Sequence, residues 1–89
     1  MEATRTRTIG LDQLPEGSWA TVSGVTVPTD AAERNLVLRL MELGFVPGER
    51  VLMVREGRTD RDPLALRLGH TTFGLRRREA AFIQVTPSA

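Results

Sequence analysis

The hydrophobic pattern of this chain changes its period across a short segment from Gly44 to Gly48 that contains glycine and proline. Before that segment, leucines recur every three or four residues, which is typical of one face of an α-helix. After it, apolar residues alternate with other residues or form short runs, which is typical of β-strands. The pattern therefore predicts one principal helix followed by a series of strands. At 89 residues the chain has room for one domain with one core.

The predicted helix, residues 30–43, has recognisable signals at both ends. Asp30 followed by Glu33 is a capping box, in which the Asp side chain accepts a hydrogen bond from an amide of the first turn. Gly44 suits the left-handed position that ends many helices, and we expect Phe45 to pack back on the last turn. The apolar stripe is predicted to contain Leu36, Leu40 and Leu43, flanked by Val37 and Met41.

Turn residues and alternation predict the first strands. A turn at residues 15–17 precedes a strand from Trp19 to Val27. A type II turn at residues 46–49, with Pro and Gly at its centre, precedes a strand from Val51 to Arg55. The run Val51–Val54 is apolar on both faces. It is either a central barrel strand covered by the helix or, in part, an exposed docking surface.

The last strands are predicted around a two-residue turn. Gly69 and His70 fit a type II′ hairpin turn, preceded by a strand that opens at Asp62. Residues 76–81 are predicted as a short turn or a single helical turn, and residues 82–85 as a closing strand. The register of the hairpin follows from the length of its turn, so that Leu68 faces Thr71, Leu66 faces Phe73 and Leu64 faces Leu75.

A sheet this small cannot bury both of its faces unaided. We therefore expect it to curl into a partly closed barrel, with the helix over one opening or side. The predicted fold is mainly β, a small SH3-like antiparallel β-barrel with one α-helix. Residues 9–86 are expected to form this single domain, and residues 1–8, which lack an apolar face, a flexible N-terminus.

The composition argues against most catalytic chemistry. The chain has no Cys and no Tyr, a single His, and twelve basic residues that are all Arg. Thiolate metal sites, lysine Schiff bases and phosphate-binding lysines are thereby excluded. No apolar run exceeds four residues, and there is no signal-peptide core. We expect a cytoplasmic protein that is not an enzyme, needs no cofactor and does not insert into the membrane.

His70 is the one side chain that suggests a metal ligand or an acid–base group, and Asp60 and Asp62 in the preceding loop are its nearest candidate companions. A structural zinc site needs four ligands, and this chain offers one imidazole and no thiol. The simpler interpretation is a polar residue at an exposed hairpin tip. The sequence therefore predicts no metal site, and any site here would be weak, carboxylate-assisted or shared between two chains.

The C-terminal half carries the positive charge. Residues 50–78 contain eight Arg and three acidic residues, a local net charge of +5. A basic barrel face is able to bind nucleic acid, but Phe73 is the only aromatic residue in that stretch, which leaves little for base stacking. A protein partner is favoured over nucleic acid. The candidate contact residues are Arg55, Arg58, Arg61 and Arg77, although solvated charges are the simpler interpretation for each one.

Three segments of the chain resemble the FeoA family, ferrous iron transport protein A. The resemblance lies in the pattern LxxLxxG at Leu11, Leu14 and Gly17, in RLMELGFVPGERV from Arg39 to Val51, and in DPLALRLG from Asp62 to Gly69 together with LRRREAA from Leu75 to Ala81. It covers most of the chain from Ile9 to Val85.

The resemblance implies a small cytoplasmic SH3-like protein that acts as an adaptor or regulator of the membrane ferrous iron transporter FeoB. The action it implies is protein–protein interaction in bacterial Fe(II) uptake, and the family is also loosely associated with transition metal ion binding. The residues themselves leave an alternative open, a stand-alone small barrel that binds nucleic acid or a transition metal. A weak homo-oligomer stays open as well.

Overall fold

The computed structural model describes residues 7–88. Of the predicted flexible N-terminus, residues 1–6 lie outside the described residues, and Arg7 and Thr8 are exposed and precede the first strand. The strands are β1 (Ile9–Gly10), β2 (Trp19–Val25), β3 (Arg50–Thr59), β4 (Asp62–Leu68), β5 (Thr71–Leu75) and β6 (Ile83–Pro87), the helices are α1 (Ala31–Leu43) and α2 (Arg77–Ala80), and Leu11–Gln13 form a 3₁₀ turn.

The six strands form one sheet in the order β1-β6-β2-β3-β4-β5, and every neighbouring pair is antiparallel. Strands β2 to β6 each contribute buried side chains to a single hydrophobic cluster, so the sheet curls around its core. The outer strands β1 and β5 do not pair with each other, and the 3₁₀ turn after β1 instead contacts α2. The mainly β antiparallel architecture with one principal helix is as predicted, with the sheet left open.

Both predicted ends of α1 are confirmed. The Asp30 carboxylate accepts a hydrogen bond from the Glu33 amide at 3.0 Å. At the other end Gly44 has a φ of 119°, and the Phe45 amide donates to the Leu40 carbonyl at 3.1 Å. This six-to-one bond over a left-handed glycine is a Schellman ending, and it turns Phe45 back into the core, where its side chain is fully buried.

The apolar face of α1 is narrower than predicted. Val37 and Leu40 are buried and Leu36 is partly buried, but the side chain of Leu43 is 43% exposed and that of Met41 36%. Leu43 lies about 60° around the helix from Leu40 and about 120° from Val37. A helix that rests on the sheet through Val37 and Leu40 therefore turns Leu43 towards solvent, and the prediction of Leu43 as a stripe residue is wrong.

Strand β3 is longer than the predicted Val51–Arg55. It runs to Thr59 and joins β4 through a tight turn in which Asp60 and Arg61 both have positive φ, 51° and 61°. Two register shifts in β3 each add one residue opposite β4. An added residue reverses the inside-outside alternation, so the second half of β3 has no two-residue period in the sequence, and residues 56–61 resemble a loop.

Other strand ends differ from the prediction by a few residues. Strand β2 ends at Val25 rather than Val27, whose side chain is 70% exposed. The closing strand is β6, Ile83–Pro87, instead of residues 82–85, and the single helical turn predicted before it is α2. Strand β1 was not predicted, since two residues are too few to show a period.

The turns that fix the register are as predicted. In the β4–β5 hairpin, Gly69 has a φ of 57°, as the first position of a type II′ turn requires. Gly48 has a φ of 96°, and the Glu49 amide donates to the Val46 carbonyl at 3.1 Å, as in a type II turn. The observed register pairs Leu68 with Thr71, Leu66 with Phe73 and Leu64 with Leu75.

Gly57 lies where β3 and β4 approach most closely. A Cβ atom at this position would lie 1.9 Å from the carbonyl oxygen of Asp62 and 2.7 Å from the nitrogen of Pro63, both of which are backbone atoms. The missing side chain therefore lets the second register shift of β3 fit against the start of β4.

We predict that Gly57→Ala destabilises the domain by about 2 kcal/mol or more, because an added methyl group that overlaps backbone forces the strands apart. Urea unfolding followed by circular dichroism measures the change. The matched control is Gly24→Ala, where an added Cβ meets nothing within 4 Å. Equal midpoints for the two variants would contradict the close approach at Gly57.

Candidate partner-binding surface

The four predicted partner-binding arginines fall into two groups. Arg55 and Arg58 lie on β3 with exposed side chains, and neither guanidinium group donates a hydrogen bond to another residue within 7–88. Arg61 and Arg77 both reach Glu56, with Arg61 Nε 2.7 Å and Arg77 Nη2 2.8 Å from the same oxygen, Glu56 Oε1. The first group is free to meet a partner, while the second is engaged within the fold.

Arg77 joins three parts of the chain. Its guanidinium donates to Glu56 on β3 and to the backbone carbonyl of Asp12 in the 3₁₀ turn, and its own amide donates to the Asp62 carboxylate on β4 at 2.6 Å. The Arg77 side chain is 24% exposed. These contacts span the side of the sheet that the unpaired outer strands leave open. We call Arg77, Glu56 and Asp12 the clasp.

The ion pairs change the acidity of Glu56. The hydrogen bond from Arg61, together with the charges of Arg61 and Arg77, holds the pKa of Glu56 below its ordinary value of 4.5, although burial opposes the shift. The pKa of Arg61 is raised by the same hydrogen bond and by the charge of Glu56. Glu56 therefore stays ionised at neutral pH and compensates cations on both of its sides.

Because the pKa of Glu56 is lowered in the folded state, the free energy of unfolding depends on pH. The contribution of Glu56 is fully present above the ordinary pKa of 4.5 and is lost as the pH falls through the lowered folded-state value. We predict that Glu56→Gln is less stable than the wild type at pH 7 and that this difference shrinks as the pH falls through the lowered folded-state pKa of Glu56.

Urea unfolding at a series of pH values measures that difference. Glu42→Gln, which removes the same charge from the exposed surface of α1, is the control and should leave the pH profile nearly unchanged. A Glu56→Gln deficit that is constant from pH 7 to pH 3 would contradict a role for the ionised carboxylate.

An open groove of about 530 Å³ lies beside the clasp, lined by Glu16, Arg55, Glu56, Gly57 and Arg58. Both carboxylates of the groove accept hydrogen bonds. Glu16 Oε2 accepts a hydrogen bond from the Glu56 amide at 2.8 Å, and Glu56 binds the two engaged arginines. The exposed guanidinium groups of Arg55 and Arg58 form no ion pair with either carboxylate among residues 7–88, and such groups suit carboxylate or phosphate ligands.

Three residues of this groove, Glu16, Glu56 and Gly57, were not among the predicted site residues. Glu16 lies in the predicted turn before β2, 40 positions from the amide that it binds, so no local pattern indicates the contact. Gly57 did carry a signal, because a glycine between strand residues often marks a bulge or a close backbone approach.

The run Val51–Val54 divides between its two faces. Val51 and Met53 are fully buried, as a central strand requires, whereas Leu52 is partly buried and Val54 is 43% exposed. The first register shift of β3 falls at Val54, which is left opposite no residue of β4. Val51 and Met53 thus fit the interpretation of a core strand, and the exposure of Val54 leaves the docking surface a prediction.

The weak candidate metal ligands lie at opposite ends of β4. Asp60 and Asp62 are at the β3–β4 turn, and Asp62 already binds the Arg77 amide. His70 is exposed at the β4–β5 turn, roughly 20 Å away along the strand. Within residues 7–88 no cluster of three or more His, Cys, Asp or Glu side chains is placed to hold a metal ion. The residues present do not fit a metal site of one chain.

We predict that His70→Ala leaves folding and the solution affinity of the monomer for Fe(II) or Zn(II) essentially unchanged, because one exposed imidazole is a weak ligand. Metal titration by calorimetry, with the wild type measured in parallel, checks this. A stoichiometric submicromolar site that disappears in the variant would overturn the prediction.

Among the described residues, no helix combines the length and the apolar character needed to cross a membrane.

Comparison with known families gives one match. The model of the FeoA domain matches residues 9–87, a range that includes every element of the fold and the whole groove. No curated protein matches the chain.

Solved structures show the same fold. The chain is 38% identical to the FeoA of Stenotrophomonas maltophilia, crystallised with zinc, with a TM-score of 0.74 over 92% of this chain and 89% of that one. That protein is described as a prokaryotic SH3 domain protein and a candidate ferrous iron transport activating factor. A FeoA-like protein from Clostridium acetobutylicum is 30% identical, with a TM-score of 0.78 over 96% and 92% of the two chains. The predicted SH3-like fold is thereby confirmed.

The fold also occurs as part of longer proteins. The IdeR of T. acidophilum is 16% identical, with a TM-score of 0.73 over 98% of this chain but 37% of that one. At this identity the likeness is one of fold alone.

Proposed function

The chain belongs to the FeoA family, which is linked to ferrous iron transport, and from that premise we propose that it is a cytoplasmic adaptor that regulates the ferrous iron transporter FeoB by direct contact. The observation that carries the proposal is the groove on β3. Glu56 is paired with Arg61 and Arg77 within the fold. Arg55 and Arg58 are exposed, so four arginines surround the two carboxylates of the groove. Such a surface attracts an acidic partner.

The chemistry of the groove favours binding over catalysis. The ionisable side chains that line it are two carboxylates and two guanidinium groups. Both carboxylates already accept hydrogen bonds, and a guanidinium does not give up its proton near neutral pH. The proposed adaptor therefore alters the transporter by association and does no chemistry of its own.

A protein partner is also favoured over nucleic acid. Single-stranded nucleic acids are bound by exposed aromatic side chains that stack on bases, set among cations. Phe73, the aromatic residue among these arginines, is half-buried and packs edge-on against the buried Phe45, with ring centroids 5.7 Å apart. It is therefore poorly placed to stack on a base.

We predict that Arg55→Glu/Arg58→Glu slows association with solubilised FeoB about tenfold at low salt and makes the rate less sensitive to salt, because exposed charges act mainly on the on-rate. Arg61 and Arg77 are left unchanged, since their reversal would break the ion pairs with Glu56. Surface plasmon resonance at several ionic strengths gives the association rates, and ferrous iron uptake by cells carrying the variant shows the effect on transport.

The matched control is Arg7→Glu/Arg39→Glu, which makes the same change in net charge at exposed positions away from the groove. Circular dichroism shows that both variants fold. Normal uptake in cells that lack the whole protein would overturn the adaptor role. Equal association rates for the two reversed variants would overturn only the assignment of the groove.

A further inference from the structure

The two edges of the sheet differ in how they are protected. Edge strands expose unpaired amides and carbonyls, and proteins usually blunt them with charges, proline, bulges or extreme shortness. Strand β1 is two residues long. Strand β5 has five residues, Thr71–Leu75, with neither a charge nor a proline, and its register with β4 has no shift. Within residues 7–88 no strand pairs with its outer side.

The hairpin register shows which backbone groups face outward. The closing pair of a two-residue hairpin, here Leu68 and Thr71, exchanges hydrogen bonds between its strands, and bonded and non-bonded pairs then alternate. Phe73 therefore bonds to β4, while the amides and carbonyls of Thr72 and Gly74 point away from it. These four groups have the spacing that an added strand needs.

The surface beside this edge is shallow and open. Gly74 pairs with Ala65, and Ala65 pairs with Arg55, so one row across the three strands ends in a guanidinium group. Gly74 has no side chain and Ala65 only a methyl group. A groove of about 230 Å³ follows this row, lined also by Gly57, Pro63, Leu64, Thr72 and Phe73. A side chain from an added strand can lie over Gly74 and point towards Arg55.

The charge along the row has one sign. Besides Arg55, the exposed Arg67 pairs with Thr72 in the next row. The carboxylate of Glu56, next to Arg55 on β3, is paired with two arginines. Asp60 and Asp62 lie beyond Pro63 at the far turn of β4, and Asp62 is bound to the Arg77 amide. The edge therefore complements an extended segment with acidic side chains.

We propose that the outer edge of β5 is a docking site for an extended acidic segment of a partner protein, which pairs as an added strand with the backbone of Thr72 and Gly74. The identity of that partner as the transporter rests on the proposed function. The docking site itself rests on the sheet edge and its charges.

A proline at position 74 isolates the backbone contribution. Gly74→Pro removes an amide that points outward and leaves the bonds between β4 and β5, and proline is tolerated at such edge positions. Gly74→Ala is the matched control, since it keeps the amide and an added Cβ meets nothing within 4 Å. Amide spectra of both variants show whether the fold is retained.

The first experiment uses synthetic probes. An eight-residue peptide of alternating Thr and Glu is titrated into ¹⁵N-labelled protein, beside one of alternating Thr and Lys. We expect the acidic peptide to shift the Thr72 and Gly74 amides most and to slow their hydrogen exchange. The Lys peptide and the Gly74→Pro variant should each weaken binding at least tenfold, and Gly74→Ala less than twofold.

Several results would overturn the edge proposal. These are shifts centred elsewhere, equal binding of the two peptides, or unchanged binding by Gly74→Pro. If Gly74→Pro fails to fold, exchange of the wild-type Thr72 and Gly74 amides decides instead, and no slowing by the acidic peptide overturns the proposal. Protection of those amides in the free protein that grows with concentration assigns the edge to a second copy and also overturns it.

The second experiment separates this proposal from the adaptor role. Solubilised transporter is captured with the wild type, Gly74→Ala and Gly74→Pro. Loss with Gly74→Pro alone supports both proposals. Equal capture by the wild type and both variants overturns the edge proposal and leaves the adaptor role supported. No capture by any of them removes the transporter as partner, and the peptide titration then decides the edge by itself.

Discussion

The guanidinium of Arg77 holds together the side of the sheet that its strands leave open. Strands β1 and β5 do not meet, so the backbone ladder cannot close the barrel. Arg77 instead joins the 3₁₀ turn after β1 to β3 through the Asp12 carbonyl and the Glu56 carboxylate, while its amide binds Asp62 at the start of β4. A planar group with several donors in a fixed arrangement suits such a junction.

The clasp also decides the charge of the neighbouring surface. Glu56 is paired with Arg61 and Arg77, and among the described residues Glu16 forms no ion pair with Arg55 or Arg58. The interaction that closes the fold thus leaves positive charge exposed on the adjoining strand. The side chains of Arg77 and Glu56 thus both close the fold and set the charge of the adjoining surface.

Local contacts could be predicted from the sequence, and distant ones could not. The ends of α1 and the register of the β4–β5 hairpin depend on residues a few positions apart, and the residues predicted there agree with the structure. Arg77 binds groups 65 and 21 positions away, so its neighbours in the sequence indicated only another exposed cation. The register shifts of β3 erased the alternation that would have shown its length. Of the four arginines predicted to bind a partner, Arg55 and Arg58 are exposed and unpaired among the described residues, and their role stays a prediction.

The narrow contact of α1 has a consequence for motion. Two fully buried side chains, Val37 and Leu40, and the Schellman turn at Gly44 hold this helix of 13 residues to the sheet. A helix of that length is marginal in water without packing. Sub-global opening in which α1 detaches and unwinds therefore costs less free energy than unfolding of the sheet. We therefore expect the sheet to stay paired while α1 opens and refolds as a separate cooperative unit.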